Sequence, residues 1–168
     1  MTVDSAPMKY NPDIHHRRSV RLKGYDYSRA GLYFITICTQ NRLCMFGDIQ
    51  NEKIILNEGG KVAEACISAI SDHYSHVRLH QSVVMPNHIH CIIEITPGTS
   101  KTVGSIVRGF KIGVTKWFRG NTDIHTVWQR NYHDHIIRDE KSYDQISEYT
   151  LNNPLKWRDD RYYEHVQL

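Results

Sequence analysis

Two histidines stand two apart in the run PNHIHCIIEI, His88 and His90. If this β-branched run is a strand, its period of two sends both imidazoles to one face and Ile89, Cys91, Ile93 and Ile95 to the other. Two neutral imidazoles on a rigid element make half of a divalent-cation site. The chain has eleven histidines, so pairs also arise by chance, and packing or surface exposure is the competing reading. A second pair, His133 and His135, shows this directly, although Asp134 rather than an apolar residue stands between its members. Further along, Tyr149 and Asn153 lie four apart, a spacing that puts both on one face of a helix, with Gln145 one turn earlier. A phenol with its ordinary pKa of about 10 attacks only when the phenolate is stabilised or the electrophile activated. A phosphodiester held by a metal meets the second condition, and the Asn153 amide oxygen offers a third ligand beside His88 and His90. Against this stands a helix tyrosine that merely packs, one of ten tyrosines in the chain.

Those residues need elements to hold them. LYFITICT, from Leu32 to Thr39, is β-branched and aromatic and reads as a buried strand. Met45 to Ile49 and Glu52 to Leu56 form a strand pair around Gln50 and Asn51. Behind a cap at Asn57, Gly60 to Tyr74 places Val62, Ala63, Cys66, Ile67 and Ile70 at helical spacing. Two more strands follow, Val77 to Met85 and His88 to Ile95, separated by the turn residues Pro86 and Asn87. Thr102 to Arg119 reads as a helix with Ile106, Val107, Phe110, Val114, Trp117 and Phe118 on one side and cations on the other, Ile112 being the exception. Tyr132 to Ile137 is a strand, and Asp139 to Asn153 a helix stopped by Pro154. The order predicts an α+β domain, an antiparallel sheet with helices packed on one face.

A length of 168 residues suits one domain, divided here into a basic arm over residues 1–30, a catalytic domain over 31–157 and a tail over 158–168. No stretch approaches the ~20 apolar residues of a membrane span. Cys38, Cys44, Cys66 and Cys91 lack metal-binding or disulfide spacing, which fits a reducing cytosol. The net charge of +3 is small, but its distribution is uneven. Lys101, Arg108, Lys111, Lys116 and Arg119 fall in a stretch without acids, Arg17, Arg18, Arg21 and Lys23 cluster near the N-terminus, and the acids concentrate after Asp134. Such segregation predicts a surface for a polyanion, with an ordinary solvated face as the alternative.

The runs VVMPNHIHCIIEI, WQRNYHDHIIRDE and EYTLNNPLKW, with the opening KYNPDIHHRRSVRLKGYDYS and YFITICTQNR, occur in an order that resembles the REP-associated tyrosine transposases, a branch of the single-tyrosine HUH-type transposases. The resemblance extends from Lys9 to Trp157. It implies a ferredoxin-like, RRM-like α+β domain with His88 and His90 as metal ligands, Asn153 completing the shell and Tyr149 as nucleophile. It further implies Mg²⁺ or Mn²⁺ as cofactor and single-stranded DNA folded into hairpins as partner, with a short unpaired sequence beside the hairpin foot. Cleavage would leave a 5′-phosphotyrosine link and a free 3′-hydroxyl, and reversal would rejoin strands. Arg108, Lys111, Lys116 and Arg119 would track phosphates, and the Arg17, Arg18, Arg21 and Lys23 arm, with Tyr25 and Tyr27, would hold unpaired bases. The implied place of work is the bacterial cytoplasm, in association with the nucleoid, as monomer or homodimer and without a membrane. The alternative is a domesticated protein that binds repeat hairpins without nicking them. The roles of His133 and His135 stay open between DNA binding, contact with the site and packing.

Overall fold

The computed structural model describes residues 21–163. In chain order its elements are β1 (Gly31–Cys38), a hairpin of β2 (Gly47–Gln50) and β3 (Lys53–Leu56), α1 (Glu58–Ser68), α2 (Ile70–His73), β4 (Val77–Val84), β5 (His88–Ile95), α3 (Val103–Asn121), β6 (His133–Ile137) and α4 (Glu140–Leu151). The main sheet has the order β4-β5-β1-β6, and every neighbouring pair is antiparallel. Setting the small hairpin aside, the chain runs strand, helix, two strands, helix, strand, with the first and third strands central, which is the ferredoxin-like arrangement.

Register decides which residues meet. Thr36 on β1 lies opposite His90 on one side and His133 on the other, Cys38 lies opposite His88, and Phe34 lies between Ile92 and His135. By the period of two, these residues share one face. The other face carries Tyr33, Ile35, Ile37, Ile89, Cys91, Ile93 and Ile95, all fully or almost fully buried. Helices α1 and α3 cover it through Ala63, Ile67, Ile106, Val107, Phe110, Val114 and Phe118. The helices on one face are therefore α1 and α3, whereas α4 lies across the histidine-bearing face, where Thr150 and Ile92 are both fully buried.

Local chemistry explains where elements begin and stop. Asn57 caps α1 by accepting from the Gly60 N–H while its amide donates to the Met45 carbonyl, so the helix starts at Glu58, ahead of Gly60. The helix expected through Tyr74 breaks at Ala69, leaving α2 as a separate turn. Met45 and Phe46 are core residues outside the hairpin because the Phe46 backbone is engaged by Pro86 and Asn57. The hairpin turns at Asn51 and Glu52, with φ of 49° and 62°, the left-handed pair that suits two twisted strands. Thr102 and Ser105 close a reciprocal capping box at the start of α3.

Gly60 is held against the Phe46 carbonyl so closely that a Cβ there would overlap the oxygen. Gly60→Ala must push α1 away from the Met45–Phe46 segment, and the expected loss is about 1–3 kcal/mol in urea unfolding, the usual size of an overpacking penalty. An unchanged denaturation midpoint would contradict that packing.

Candidate active site

The loop between β4 and β5 fixes the first imidazole. Asn87 is fully buried, and its amide nitrogen donates to the carbonyls of Arg42 and Tyr162 at 3.1 and 2.9 Å. Both partners are acceptors, so the amide orientation is determined, and Oδ1 must be the atom facing His88 Nδ1 at 2.9 Å. His88 Nδ1 is therefore protonated and Nε2 carries the lone pair. His90 Nδ1 lies 2.8 Å from the Thr36 hydroxyl, which serves as donor or acceptor. The two Nε2 atoms then face each other at 3.1 Å. Burial pushes both imidazoles below the usual histidine range, the Asp160 carboxylate partly opposing this at His88 and the neighbouring His88 adding to it at His90. Both rings are thus held neutral, the state in which imidazole ligates metals.

Asp160 completes the cluster. Its carboxylate lies with the two Nε2 atoms in a group whose ligand atoms are all within 4.8 Å of one another. Oδ1 accepts from the Tyr162 N–H at 2.7 Å, and Oδ2 accepts from the Asn153 amide at 2.9 Å and the Tyr149 hydroxyl at 3.2 Å. Asn153 is buried, yet its Oδ1 has no hydrogen-bond partner among the described residues. The orphaned, buried Asn153 Oδ1 is costly as it stands, and it belongs to the same cluster as the His88 Nε2 lone pair and the Asp160 carboxylate. A divalent cation would satisfy that oxygen together with the imidazole and carboxylate donors, so the donor set fits a divalent metal ion.

Tyr149 stands at the rim. Its hydroxyl is 3.3 Å from His90 Nε2, its ring packs against His90 and Phe34 at centroid distances of 5.3 and 6.2 Å, and the residue remains 39% exposed, open to a large substrate. Burial first, and then the Asp160 charge, push the phenol up to about 12. Helix α4 ends at Leu151 rather than Asn153, because Pro154 begins a 3-10 turn, but Asn153 keeps helical dihedrals and stays below Tyr149. The helix is anchored by Thr150 and by Tyr143, whose hydroxyl is 2.9 Å from His80 Nδ1; Gln145 is exposed.

His88, His90, Tyr149 and Asn153 are thus brought together: spacing predicts the shared face of each pair, and only the resemblance joins the two pairs in one site. Sequence reasoning missed Asp160, Tyr162, Asn87 and Thr36. Tyr162 lies over His88 at a centroid distance of 4.8 Å, and both it and Asp160 come from the segment set aside as a tail. The one local signal was the alternation of aromatics and acids in WRDDRYY after Pro154. Asn87→Ala frees the His88 ring to turn, so Mn²⁺ affinity in a paramagnetic-resonance titration is expected to fall by about 10- to 100-fold, the usual cost of losing a group that orients a ligand.

The candidate DNA-contacting cations divide. Arg21, Arg108, Lys111, Lys116 and Arg119 line one groove of about 650 Å³ on the α3 side of the sheet, together with Arg130, Tyr132 and the 57% exposed Ile112. Lys111 forms part of its floor: its ammonium donates to the carbonyls of Gln129 and Asn131, and burial lowers it to about 8. Lys23 lines a neighbouring groove that shares Arg21. Arg17 and Arg18 lie outside the described residues. Tyr25 and Tyr27 pack on each other and on Tyr33, Tyr27 being buried in the core.

A ferredoxin-like sheet that presents two imidazoles, a carboxylate and a helix-borne phenol at one point defines a class of small α+β proteins with a tyrosine beside a candidate cation site. The family model for IS200-like transposases matches residues 30–153, and the chain belongs to that family. It is 50% identical to an uncharacterized protein of Haemophilus influenzae, over 92% of this chain and 97% of that one. It is 25% identical to the REP-associated tyrosine transposase of Escherichia coli K12, over 77% of this chain and 70% of that one. Among solved structures, a REP-associated tyrosine transposase bound to a REP hairpin superposes with a TM-score of 0.63 at 22% identity, covering 81% of this chain and 73% of that one. No helix among the described residues is long and apolar enough to cross a membrane.

Proposed function

We propose that this chain binds hairpins in single-stranded DNA and cleaves and rejoins the strand through Tyr149, the chemistry of DNA transposition, acting in the cytoplasm. The observation that carries the reading is the partly exposed Tyr149 hydroxyl, within hydrogen-bond distance of both His90 and Asp160. Tyr149 Oη attacks the scissile phosphorus, forming the tyrosyl–phosphate bond, while the P–O3′ bond breaks and its electron pair leaves on the 3′ oxygen, which takes up a proton. The phenolic proton has an acceptor in Asp160 Oδ2, 3.2 Å away. His88, His90, Asp160 and Asn153 would hold Mg²⁺ or Mn²⁺, which supplies Lewis-acid polarisation of the phosphate. Phe34 and Tyr162 close the flanks of the imidazole pair and keep water from it. The phosphotyrosine retains the energy of the broken linkage, so attack by a 3′-hydroxyl regenerates Tyr149 and joins strands without a nucleotide cofactor.

The α3 groove supplies the electrostatic footing for the hairpin stem, with Arg108 and Lys116 at its surface. Each phosphate contact contributes a nearly fixed increment to the salt dependence of binding. Arg108→Ala with Lys116→Ala is therefore expected to weaken hairpin binding regardless of sequence and to reduce the log–log salt slope by about two, read by fluorescence anisotropy. An unchanged slope places the stem elsewhere. The activity itself is tested by incubating labelled single-stranded hairpins with the protein and Mn²⁺. Cleavage supports the reading, and salt-sensitive binding without cleavage in either Mn²⁺ or Mg²⁺ supports the binding-only alternative.

A further inference from the structure

A DNA strand can approach Tyr149 across the sheet from two sides, and they differ. On the β4 side, α4 lies over the sheet and is latched by His80, whose Nδ1 meets the Tyr143 hydroxyl and whose Nε2 is 3.1 Å from Glu94. The exposed acids Asp144 and Glu148 also stand on that helix. The β6 side has a different character. This edge strand presents His133 and His135, both exposed, on the same face as His90, because β1 pairs in register with β5 and β6 at once. Inward of them, Phe34 stacks on His90 at 5.1 Å and touches Tyr149, and Tyr162 lies between His133, at 6.5 Å, and His88. Rings therefore run from the sheet edge to the nucleophile.

The edge is also joined to the basic surface. His135 lines a groove of about 570 Å³ with Arg21, Lys23 and Arg138, and Arg21 belongs as well to the α3 groove around the corner. Two acids share the edge groove: Asp139 caps α4 through Ser142, and Asp134 lies near the Tyr27 hydroxyl with its Oδ1 buried and unpartnered among the described residues. Alternate residues on one strand face recur about every 6.7 Å, so neighbouring bases of one unpaired strand can rest on both imidazoles. A polar edge that merely deters strand pairing needs neither the shared face nor the inward row of rings.

We propose that His133 and His135, with Phe34, form a stacking track that carries the unpaired DNA beside a hairpin over the β6 edge to Tyr149. The track rests on the proposed DNA-processing function and adds to it the route and recognition mode of the unpaired segment. Bases would be held by their faces, with the Arg21, Lys23 and Arg138 cations following the phosphates.

The test compares two probes on the full-length chain by fluorescence anisotropy: a bare DNA hairpin, and the same hairpin with short randomised unpaired arms. The native protein is expected to bind the armed probe more tightly by about tenfold or more. His133→Ala with His135→Ala should remove most of that gain, leaving affinity for the bare hairpin and the thermal midpoint unchanged. His133→Tyr with His135→Tyr should restore it, because a stacking face returns, and arms made of abasic sites should show no gain with any variant. The track is overturned if the gain survives the alanine pair, if the pair weakens both probes equally, or if the native protein binds the hairpin and gains nothing from arms. A native protein that binds neither probe defeats the DNA-processing reading itself, and the track with it.

Discussion

Tyr149→Phe is expected to abolish strand cleavage, lowering the rate by at least about 10⁴-fold, while hairpin affinity stays within about twofold of the native value. The substitution removes one oxygen and keeps the ring that packs against His90 and Phe34. That oxygen is the side chain's one hydrogen-bonding atom, at 3.3 Å from His90 Nε2 and 3.2 Å from Asp160 Oδ2. No other described tyrosine hydroxyl has a hydrogen bond to either residue. Gel separation of cleaved from intact labelled hairpin measures the rate, and anisotropy the affinity. Equal loss of both would mean that the phenol serves binding, and retained cleavage would assign the attack to another group.

The second large effect concerns the imidazole pair. His88→Ala or His90→Ala each leaves one Nε2 without its counterpart, and each is expected to cost at least about 100-fold in Mn²⁺ affinity together with most of the cleavage activity. The thermal midpoint separates loss of metal from loss of fold. Native protein should be stabilised as Mn²⁺ rises through its dissociation constant, whereas the midpoints of the variants should begin to rise only at Mn²⁺ concentrations at least about 100-fold higher. The variants also strand the buried Asn87 Oδ1 or the Thr36 hydroxyl, a cost of about 1–3 kcal/mol that appears in the metal-free midpoint. Asp160→Asn and Asn153→Ala, measured in the same way, rank the carboxylate against the amide oxygen as the third ligand. A midpoint that follows Mn²⁺ equally in native and His90→Ala protein would remove the histidines from the metal site.

The parts of this site that could be read from the sequence are those fixed within one element. His88 and His90 share a face because they are two apart on a strand, and Tyr149 and Asn153 meet at the cluster although α4 stops at Leu151, because Asn153 keeps helical dihedrals ahead of the 3-10 turn. The residues that were missed reach the site through contacts no local period encodes. Asp160 arrives because Pro154 ends α4 and starts a 3-10 turn that folds the chain back, with Trp157 and Tyr162 buried over His88. Asn87 reads as a turn residue, and its role emerges only from the Arg42 and Tyr162 carbonyls that orient it. His133 and His135 needed the register of β1 between its two neighbours before their shared face could be seen. Charge was legible by composition along α3, whereas the joining of Arg21 and Arg130 to that helix in one groove depended on how the segment before β6 packs beneath it.

The central claim is that Tyr149 forms a covalent bond to DNA at this cluster, and one measurement addresses it directly. Native protein is incubated with Mn²⁺ and a single-stranded hairpin labelled on the 3′ side of the expected break, denatured, digested with protease and mapped by mass spectrometry. A nucleotide-bearing peptide modified at Tyr149, absent without metal and absent from the Tyr149→Phe protein, is the predicted result. A denaturation-resistant adduct in the Tyr149→Phe protein, or a modified peptide that does not contain Tyr149, would contradict it.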